Sequence, residues 1–269
     1  MEGKLVGLKM HSTGTVKRPG IAVDVFLEAQ PTQSEEKKLK TALATKLGAN
    51  TDLTDFYALA KNDSILSIPV NDLYGMRNTQ FGDLFGAATL AISLQMAPIK
   101  RSNQMQNCLI KRFGETASFD GRKIPVWPTA RRIARADSKV LFADCKLGYR
   151  AKFLVKLAQM IAGGFPSLEE LAQLPAEDAR KKIMELPGIG DYSADIINPH
   201  GGFSIDVWSA DIFGKIFFGK KADIGRSSIA RIKAEGIRRW GKWARLAFVY
   251  IVHDLPHINE LTGLGLRLA

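Results

Sequence analysis

One stretch in the second half of the chain decides the fold: Ala179–Gly214, ARKKIMELPGIGDYSADIINPHGGFSIDVWSADIFG. A helical segment ends at Leu186, a Pro-Gly-Ile-Gly turn covers residues 187–190, and a second helix begins at Asp191. The two glycines allow costly backbone conformations and leave peptide N–H groups uncovered at a helix N-terminus, where a phosphate oxygen can bind. The stretch predicts a helical hairpin that contacts a polyanion, and an ordinary hairpin with a glycine stop is the alternative.

The composition describes a large, basic, globular chain. Its 269 residues include 38 Lys and Arg against 27 Asp and Glu, and 46% are hydrophobic. These values exclude a disordered or collagen-like chain, and the length allows folding without disulfides or metals. The uncharged run Leu84–Ile99 is shorter than the roughly 20 residues of a membrane span, and the N-terminus lacks a signal-peptide core. We therefore expect a soluble intracellular protein, cytoplasmic or bound to the nucleoid.

The two cysteines, Cys108 and Cys145, are too few for a disulfide framework or a four-cysteine metal site. Both lie in apolar or helical context, which predicts buried free thiols in a reducing cytoplasm. The four histidines show no metal-ligand spacing, so we expect no required cofactor.

Positive charge is concentrated in two runs. Residues 121–160 hold ten Lys and Arg against two Asp, and residues 220–245 hold nine against two acidic residues. Clustered positive charge is typical of nucleic-acid-binding proteins, and a solvated helix face explains it equally well.

The N-terminus is predicted to form a small antiparallel sheet and the remainder to be helical. Three β-rich segments within residues 4–28 alternate with turn signals, and the helix that begins near Gln33 ends at Gly48. A loop is predicted around Pro69, and residues 82–96 are apolar on all sides, which indicates a buried helix. We predict a helix closing at Gly114, a loop over 115–128, and helices at 129–135, 138–144, 149–162, 167–173, 176–185, 191–198, 206–218, 226–239 and 241–253.

Several segments, in order, resemble the helix-hairpin-helix/GPD superfamily of DNA glycosylases, of the 3-methyladenine glycosylase II and 8-oxoguanine glycosylase types. Leu186–Asp195 followed by Gly201–Trp208 is similar to the hairpin, Gly/Pro-rich loop and Asp signature. Gly82–Gln95 resembles the buried helix before the DNA-intercalating loop. Leu147–Leu154 resembles the Gly-Tyr-Arg-Lys helix start, and Trp240–Arg245 the helix that closes the base pocket.

The resemblance implies a mainly α, two-lobed helical glycosylase fold with a hairpin at about 176–198 and a small N-terminal antiparallel β-sheet. We expect a sheet-containing domain over 1–65 and a helical body over 66–269. The implied lobes are 30–125 and 126–240, with 241–269 packing back on the first.

Cleavage of an N-glycosidic bond builds positive charge on the sugar and needs a fixed, ionised carboxylate. Asp206 follows a Gly-rich loop and opens a helix, whose N-terminus favours the charged form. A simple N-cap is the alternative, and the offset of Asp206 from the glycine turn favours catalysis. We expect Asp211 to face solvent or pair with Lys215, and Asp195 to brace the hairpin.

Superfamily members that also nick the strand carry a nucleophilic lysine two residues after the second hairpin glycine. That position is Tyr192 here, so the resemblance implies a monofunctional enzyme with Tyr192 at the edge of the base pocket, unless it merely packs the first helical turn. The other candidate pocket residues are Trp208, Trp243 and Tyr250.

Gln95 and Met96 occupy the superfamily's wedge position, although a core position is the more common fate of a methionine. The resemblance also implies a structural Na⁺ or K⁺ bound by the carbonyls of Leu186, Gly188 and Ile189. The candidate DNA-contacting residues are Pro187, Gly188, Ile189, Gly190, Gln95, Met96, Arg150 and Lys152.

The sequence thus favours a monomeric, monofunctional base-excision-repair glycosylase that flips a damaged purine out of double-stranded DNA and hydrolyses its glycosidic bond. An alkylated purine such as 3-methyladenine is the first expectation, and an oxidised purine such as 8-oxoguanine is the second. A non-catalytic helix-hairpin-helix DNA-binding protein is the alternative from another class.

Overall fold

A computed structural model describes residues 5–222 and 225–267 of the chain. The fold is mainly α, and none of the helices in these ranges is long and apolar enough to cross a membrane. The strands are β1 (Gly7–Ser12), β2 (Ile21–Phe26), β3 (Glu115–Phe119) and β4 (Arg122–Val126). The helices are α1 (Gln33–Lys46), α2 (Thr54–Ala60), α3 (Ser67–Asp72), α4 (Leu84–Leu94), α5 (Ile99–Phe113), α6 (Ala130–Ala134), α7 (Ser138–Ala143), α8 (Arg150–Ala162), α9 (Leu168–Leu171), α10 (Ala176–Ile183), α11 (Asp191–Ile197), α12 (Val207–Phe218), α13 (Arg226–Trp240), α14 (Ala244–His253) and α15 (Leu255–Thr262).

The N-terminal sheet has two antiparallel strands, with Gly7 opposite Phe26 and Ser12 opposite Ile21. The prediction of a small antiparallel sheet is confirmed, but the third predicted strand is wrong. Residues 14–18 form the loop between β1 and β2, in which the Thr15 N–H donates to the Arg18 carbonyl at 2.9 Å. This loop closes on itself, so its backbone is not available to pair as a strand.

The predicted loop over 115–128 is wrong, because β3 and β4 form a second antiparallel hairpin there. Its turn residues, Asp120 and Gly121, both have positive φ, 48° and 68°. An Asp-Gly pair is a strong signal for such a hairpin, and the sequence contains it. Contacts to the first sheet support the hairpin, since Lys9 pairs with Asp120 at 2.9 Å and the rings of Phe26 and Phe119 lie 5.3 Å apart.

The buried helix predicted at 82–96 is α4, and its N-cap is Asp83, whose side chain accepts from the Gly86 N–H at 2.7 Å. The predicted loop at Pro69 is wrong. Pro69 lies in the first turn of α3, where its missing N–H leaves no helical hydrogen bond unmade. The helix α15 was not predicted from the sequence.

The described residues form two hydrophobic cores, and these cores do not divide the chain at residue 125 as expected. One core draws its buried residues from 84–197. The other combines residues 53–70 with 203–266. Phe56 shows why, because its ring packs 5.6 Å from Trp243 and 5.1 Å from Tyr250. The expected return of the C-terminal helices onto the N-terminal ones is confirmed by this packing.

Cys108 and Cys145 form a disulfide, with their Cα atoms 5.2 Å apart, so the prediction of free thiols is wrong. The bond joins α5 to the segment between α7 and α8. Arg112 and Asp144 form an ion pair at 2.5 Å between the same two segments. The two cysteines are 37 residues apart, and only the packing of α5 against this segment brings them together.

Two helical glycines provide a test of the packing around Phe203. A Cβ at Gly236 in α13 would lie 2.4 Å from the Phe203 ring, whereas one at Gly86 in α4 would have no neighbour closer than 3.6 Å. Ala is intrinsically more favourable than Gly in a helix by up to about 1 kcal/mol. We expect Gly86→Ala to raise the free energy of unfolding by about 0.5–1 kcal/mol and Gly236→Ala to lower it by about 1–3 kcal/mol in urea denaturation. Equal effects at the two positions would contradict the packing.

Candidate functional site

The hairpin turn joins α10 to α11 and contains two glycines with different roles. Gly188 has φ +81°, and a Cβ there would lie 2.7 Å from Phe153, so this position requires glycine. Gly190, the N-cap of α11, has φ −107° and no neighbour within 4 Å of such a Cβ. Neither conformation nor packing within the protein requires glycine at 190. Because Gly190 has no side chain, a binding partner from outside the protein can approach the N-terminus of α11.

Gln95, at the end of α4, fastens that helix to the hairpin. Its Nε2 donates to the Gly188 carbonyl at 2.7 Å and to the Ser193 hydroxyl at 3.0 Å. Its own carbonyl accepts from the Arg150 guanidinium at the start of α8. The Gln95 side chain is therefore committed to contacts within the protein, and it fixes the neighbouring Met96 turn relative to the hairpin.

Met96 projects from this turn into solvent. The residue is 73% exposed, and its φ of +45° is unusual for a side chain other than glycine. The alternative that Met96 is a core residue is therefore wrong. An exposed, unbranched apolar side chain next to the hairpin is suited to insertion between stacked bases.

The two basic candidates at the start of α8 differ in position. Arg150 is only 8% exposed, donates to the carbonyls of Gln95 and Leu147, and lies 4.6 Å above the Tyr149 ring. The buried guanidinium thus stabilises the Met96 turn through its hydrogen bond to the Gln95 carbonyl. Lys152 is exposed, as are the aromatic rings of Tyr149 and, in part, Phe153.

Asp206 is the N-cap of α12, and its carboxylate is held in one orientation. Its Oδ1 accepts from the Trp208 N–H at 3.1 Å, the Ser209 N–H at 2.8 Å and the Ser209 hydroxyl at 2.6 Å. Tyr192 lies beside the same carboxylate, and burial together with the charge of Asp206 raises the pKa of Tyr192. The Tyr192 hydroxyl therefore stays protonated at neutral pH. All three capping hydrogen bonds go to Oδ1, so the cap does not use the other carboxylate oxygen, Oδ2.

Asp195 braces the hairpin, as expected. The residue is 4% exposed, and its carboxylate forms ion pairs with Arg180 of α10, at 3.1 Å, and with Lys233 of α13. Arg245 of α14 donates to the carbonyls of Asp195 at 2.5 Å and Asn198 at 2.9 Å, and burial lowers the pKa of Arg245 to about 10. These contacts join the hairpin to the second core.

The loop from the hairpin to Asp206 lies on this brace. A Cβ at Gly202 would lie 2.7 Å from the Asp195 Cβ, so the loop approaches α11 as closely as a glycine permits. Asp211, one turn further along α12, pairs with Lys215 at 3.7 Å, which confirms the expected pair.

The four aromatic residues predicted for a base pocket have different surroundings. Tyr192 contacts Asp206, and Trp208 lies half-buried in the first turn of α12. Trp243 lines a cavity of about 840 Å³ together with His200 and Arg245. Neither Asp206 nor Tyr192 lines that cavity.

Tyr250 and Trp243 both pack against the Phe56 ring. Tyr250 is fully buried in the second core, and its hydroxyl donates to the Met76 carbonyl at 2.8 Å. The sequence of residues 243–253, aromatic at several positions, contains no signal that distinguishes the surroundings of Trp243 from those of Tyr250.

The turn carbonyls expected to bind a cation already accept hydrogen bonds. The Leu186 carbonyl accepts from the Ile189 N–H at 3.1 Å, and the Gly188 carbonyl accepts from Gln95. Each carbonyl oxygen has a second lone pair, so the residues fit a monovalent cation, which stays a prediction.

Both basic runs contain ion-paired residues and exposed residues without an ion pair in the described part of the chain. In the run 220–245, Lys233, Lys242, Arg238 and Arg239 form ion pairs, and the last two lower the pKa of Glu235 to about 2. Lys220, Lys221, Arg226 and Arg231 of the same run are exposed and have no ion pair within the described part of the chain. In the run 121–160 the corresponding residues are Arg122, Lys123, Arg131, Arg135, Lys139, Lys146, Lys152 and Lys156.

The known proteins to which this chain is similar are named as DNA glycosylases. No family model matches the chain. Over 149 residues it is 30% identical to the DNA-3-methyladenine glycosylase of Bacillus subtilis (strain 168), covering 55% of this chain and 49% of that protein. The chain thus matches about half the length of this curated relative.

Two solved structures share the fold. The 3-methyladenine DNA glycosylase from Archaeoglobus fulgidus has a TM-score of 0.77 at 20% identity, covering 95% of this chain and 84% of that one. The Clostridium acetobutylicum 8-oxoguanine glycosylase/lyase, in complex with double-stranded DNA containing cytosine opposite 8-oxoguanine, has a TM-score of 0.71 at 19% identity, covering 88% and 83%. The predicted resemblance to helix-hairpin-helix DNA glycosylases and the mainly α fold class are confirmed.

The Gln95 contacts predict a stability effect. Gln95→Ala removes both donors to the hairpin and leaves the Gly188 carbonyl without this partner. We expect the free energy of unfolding to fall by about 1–3 kcal/mol in urea denaturation. Gln104→Ala, on the exposed face of α5, is the matched control and should change it by less than about 0.5 kcal/mol. If both variants lose a similar amount of unfolding free energy, the Gln95 hydrogen bonds to the hairpin do not stabilise the protein.

Proposed function

We propose that the protein is a DNA glycosylase that flips a damaged purine out of duplex DNA and hydrolyses its N-glycosidic bond. The observation that carries this proposal is the Asp206 carboxylate, fixed by three hydrogen bonds at the N-terminus of α12 beside Tyr192, in the helix after the hairpin turn. The activity named for the Bacillus relative and for both solved structures supports it.

Asp206 supplies the chemistry of the proposed reaction. As the base departs, positive charge builds on the deoxyribose, and a preorganised carboxylate stabilises that charge and orients the attacking water. The cap donors hold the carboxylate in place before the substrate arrives, so that little reorganisation accompanies the reaction.

DNA engagement rests on the hairpin turn and the Met96 turn. The open N-terminus of α11 at Gly190 suits a backbone phosphate, while the exposed Lys152 and Lys156 add attraction to the polyanion. Met96, exposed beside the hairpin, fills the gap that a flipped nucleotide leaves in the base stack.

An alkylated purine such as 3-methyladenine is the proposed substrate. The absence of a lysine at position 192 and the names of the Bacillus and Archaeoglobus proteins favour it. The likeness to the Clostridium glycosylase/lyase favours an oxidised purine as the second candidate. A panel of duplexes bearing alkylated, oxidised or deaminated bases distinguishes them.

Asp206→Asn tests the catalytic assignment. Asparagine caps helices as well as aspartate does, so the fold should persist while the negative charge is lost. We expect base release to fall by at least about 100-fold, with DNA binding retained in fluorescence anisotropy. Asp211→Asn, in the same helix, is the control and should keep base release. Wild-type turnover by Asp206→Asn would rule out its role, and DNA binding without base release on any duplex would indicate a non-catalytic DNA-binding protein.

Gly190→Ala tests the phosphate contact. The added methyl group meets no protein atom within 4 Å, but it covers the N-terminus of α11 from outside. We expect affinity for damaged and undamaged duplexes to fall by a similar factor, because phosphate contacts carry no base information. Binding by the wild-type protein should also weaken steeply with salt. Gly86→Ala serves as the control, and salt-insensitive binding would contradict the proposal.

The residue at position 192 predicts the product of the reaction. A Schiff base needs a neutral amine at the sugar, whereas tyrosine cannot form one and an ordinary lysine, with a pKa of about 10.4, stays protonated. We expect an intact abasic strand that is cut only after alkali, and no borohydride-trapped adduct at the rate of base release. Efficient trapping would overturn the monofunctional assignment, and peptide mapping of the adduct would identify the lysine.

A further inference from the structure

The Cys108–Cys145 disulfide closes a ring of contacts around the Met96 turn. From Gln95 the chain passes through Met96 and along α5 to Cys108. The disulfide leads from there to Cys145, in the segment before α8. Arg150 then begins α8, and its guanidinium donates back to the Gln95 carbonyl. The Met96 turn is therefore held from both sides by one closed ring, in which the disulfide joins α5 covalently to the segment before α8.

The backbone of this ring is strained at two places. Met96 has φ +45° and Lys146, next to Cys145, has φ +53°, in the left-handed region that side chains other than glycine rarely adopt. Asp120 is the other non-glycine residue with positive φ in the described part of the chain, and it lies in a β-turn outside the ring. Such conformations persist only where several surrounding contacts enforce them. The ring therefore depends on its cross-contacts, and the disulfide is one of them.

The polar contacts that accompany the disulfide are open to solvent. Arg112 of α5 pairs with Asp144 at 2.5 Å, but these side chains are 52% and 35% exposed, so solvent screens the pair. Arg101 of α5 donates to the Lys146 carbonyl at 2.7 Å, also at an exposed position. Loss of the disulfide would therefore weaken the attachment of this segment to α5, and with it the support that Arg150 gives to the Met96 turn.

We propose that this disulfide is a redox switch that sets how firmly the Met96 turn engages DNA, an inference that rests on the proposed role of Met96. The reductant is a small-molecule thiol such as glutathione. Its thiolate attacks the sulfur of Cys108, the more exposed of the two cysteines, and Cys145 leaves as a thiolate that takes up a proton. A second thiol releases Cys108 and forms the disulfide of the small thiol, so two electrons pass to the protein.

Reduction acts on the wedge and leaves the other parts of the proposed site in place. The hairpin turn 187–190 and Asp206 lie outside the ring, and α12 packs in the second core. A less rigid Met96 turn must be ordered when it inserts into the base stack, which lowers affinity for a duplex with a flipped base. Binding to an undamaged duplex, which depends on phosphate contacts at the hairpin, should change little.

Hydrogen exchange and DNA binding of the full chain test the switch. The protein is oxidised with glutathione disulfide or reduced with dithiothreitol, and alkylation with mass spectrometry verifies each form. In the reduced form we expect residues 95–103 and 144–151 to exchange at least about 5-fold faster, with α12 unchanged. Affinity for a lesion-bearing duplex and the single-turnover rate of base release should fall by at least about 5-fold, and reoxidation should restore both.

Cys108→Ser removes the disulfide without a reductant, because the chain contains two cysteines in all. This variant should behave like the reduced wild-type protein and should not respond to dithiothreitol. Asn107→Ser, at the exposed neighbouring position, is the matched control and should keep the response. Reduction of the wild-type protein needs no substitution, so the test stays decisive if Cys108→Ser does not fold.

Three results would overturn the proposal. The first is a pair of cysteines that remain thiols in glutathione disulfide. The second is reduction that leaves the exchange of residues 95–103 or the affinity for the lesion-bearing duplex unchanged, and the third is a Cys108→Ser variant that still responds to thiol. Absence of base release by the oxidised protein would instead contradict the proposed function, whereas faster exchange on reduction would still show that the disulfide holds the Met96 turn.

Discussion

The buried carboxylate of Asp195 is the contact on which the arrangement of the molecule depends. A charge so far from solvent is tolerated only when it is paired, and Arg180 and Lys233 provide that pairing from opposite sides. Arg180 belongs to the hairpin and Lys233 to the second core. The position of the hairpin relative to the second core is therefore set by the Asp195 ion pairs, which would be costly to break. The loop that carries Asp206 packs directly against Asp195.

A second set of contacts places the Met96 turn beside the hairpin. Gln95 bonds to the Gly188 carbonyl with its side chain and to Arg150 with its backbone, so α4, α8 and the hairpin meet at one residue. The disulfide between Cys108 and Cys145 fastens α5 to the segment just before α8. Met96 thus protrudes from a turn whose neighbours are held on several sides, which is the rigidity that a wedge into stacked bases requires.

Local interactions explain which features of the fold the sequence predicts correctly. Helix ends at Gly48 and Gly114, the glycine turn at 187–190 and the capping position of Asp206 depend on residues within a turn or two of each other. The Asp-Gly pair at 120–121 is the same kind of local signal for the second β-hairpin. The alternatives of N-cap and catalytic carboxylate for Asp206 prove compatible, because the cap bonds use one oxygen.

The sequence by itself determined the helical class, the hairpin and the capping position of Asp206, because apolar spacing, glycines and caps act over a few residues. Only the tertiary structure decided that Arg150 is buried while Met96 is exposed, and that Tyr250 belongs to the core. It also decided that Cys108 meets Cys145. These outcomes depend on contacts between segments far apart in the chain, and such contacts follow from how whole helices pack rather than from any local pattern.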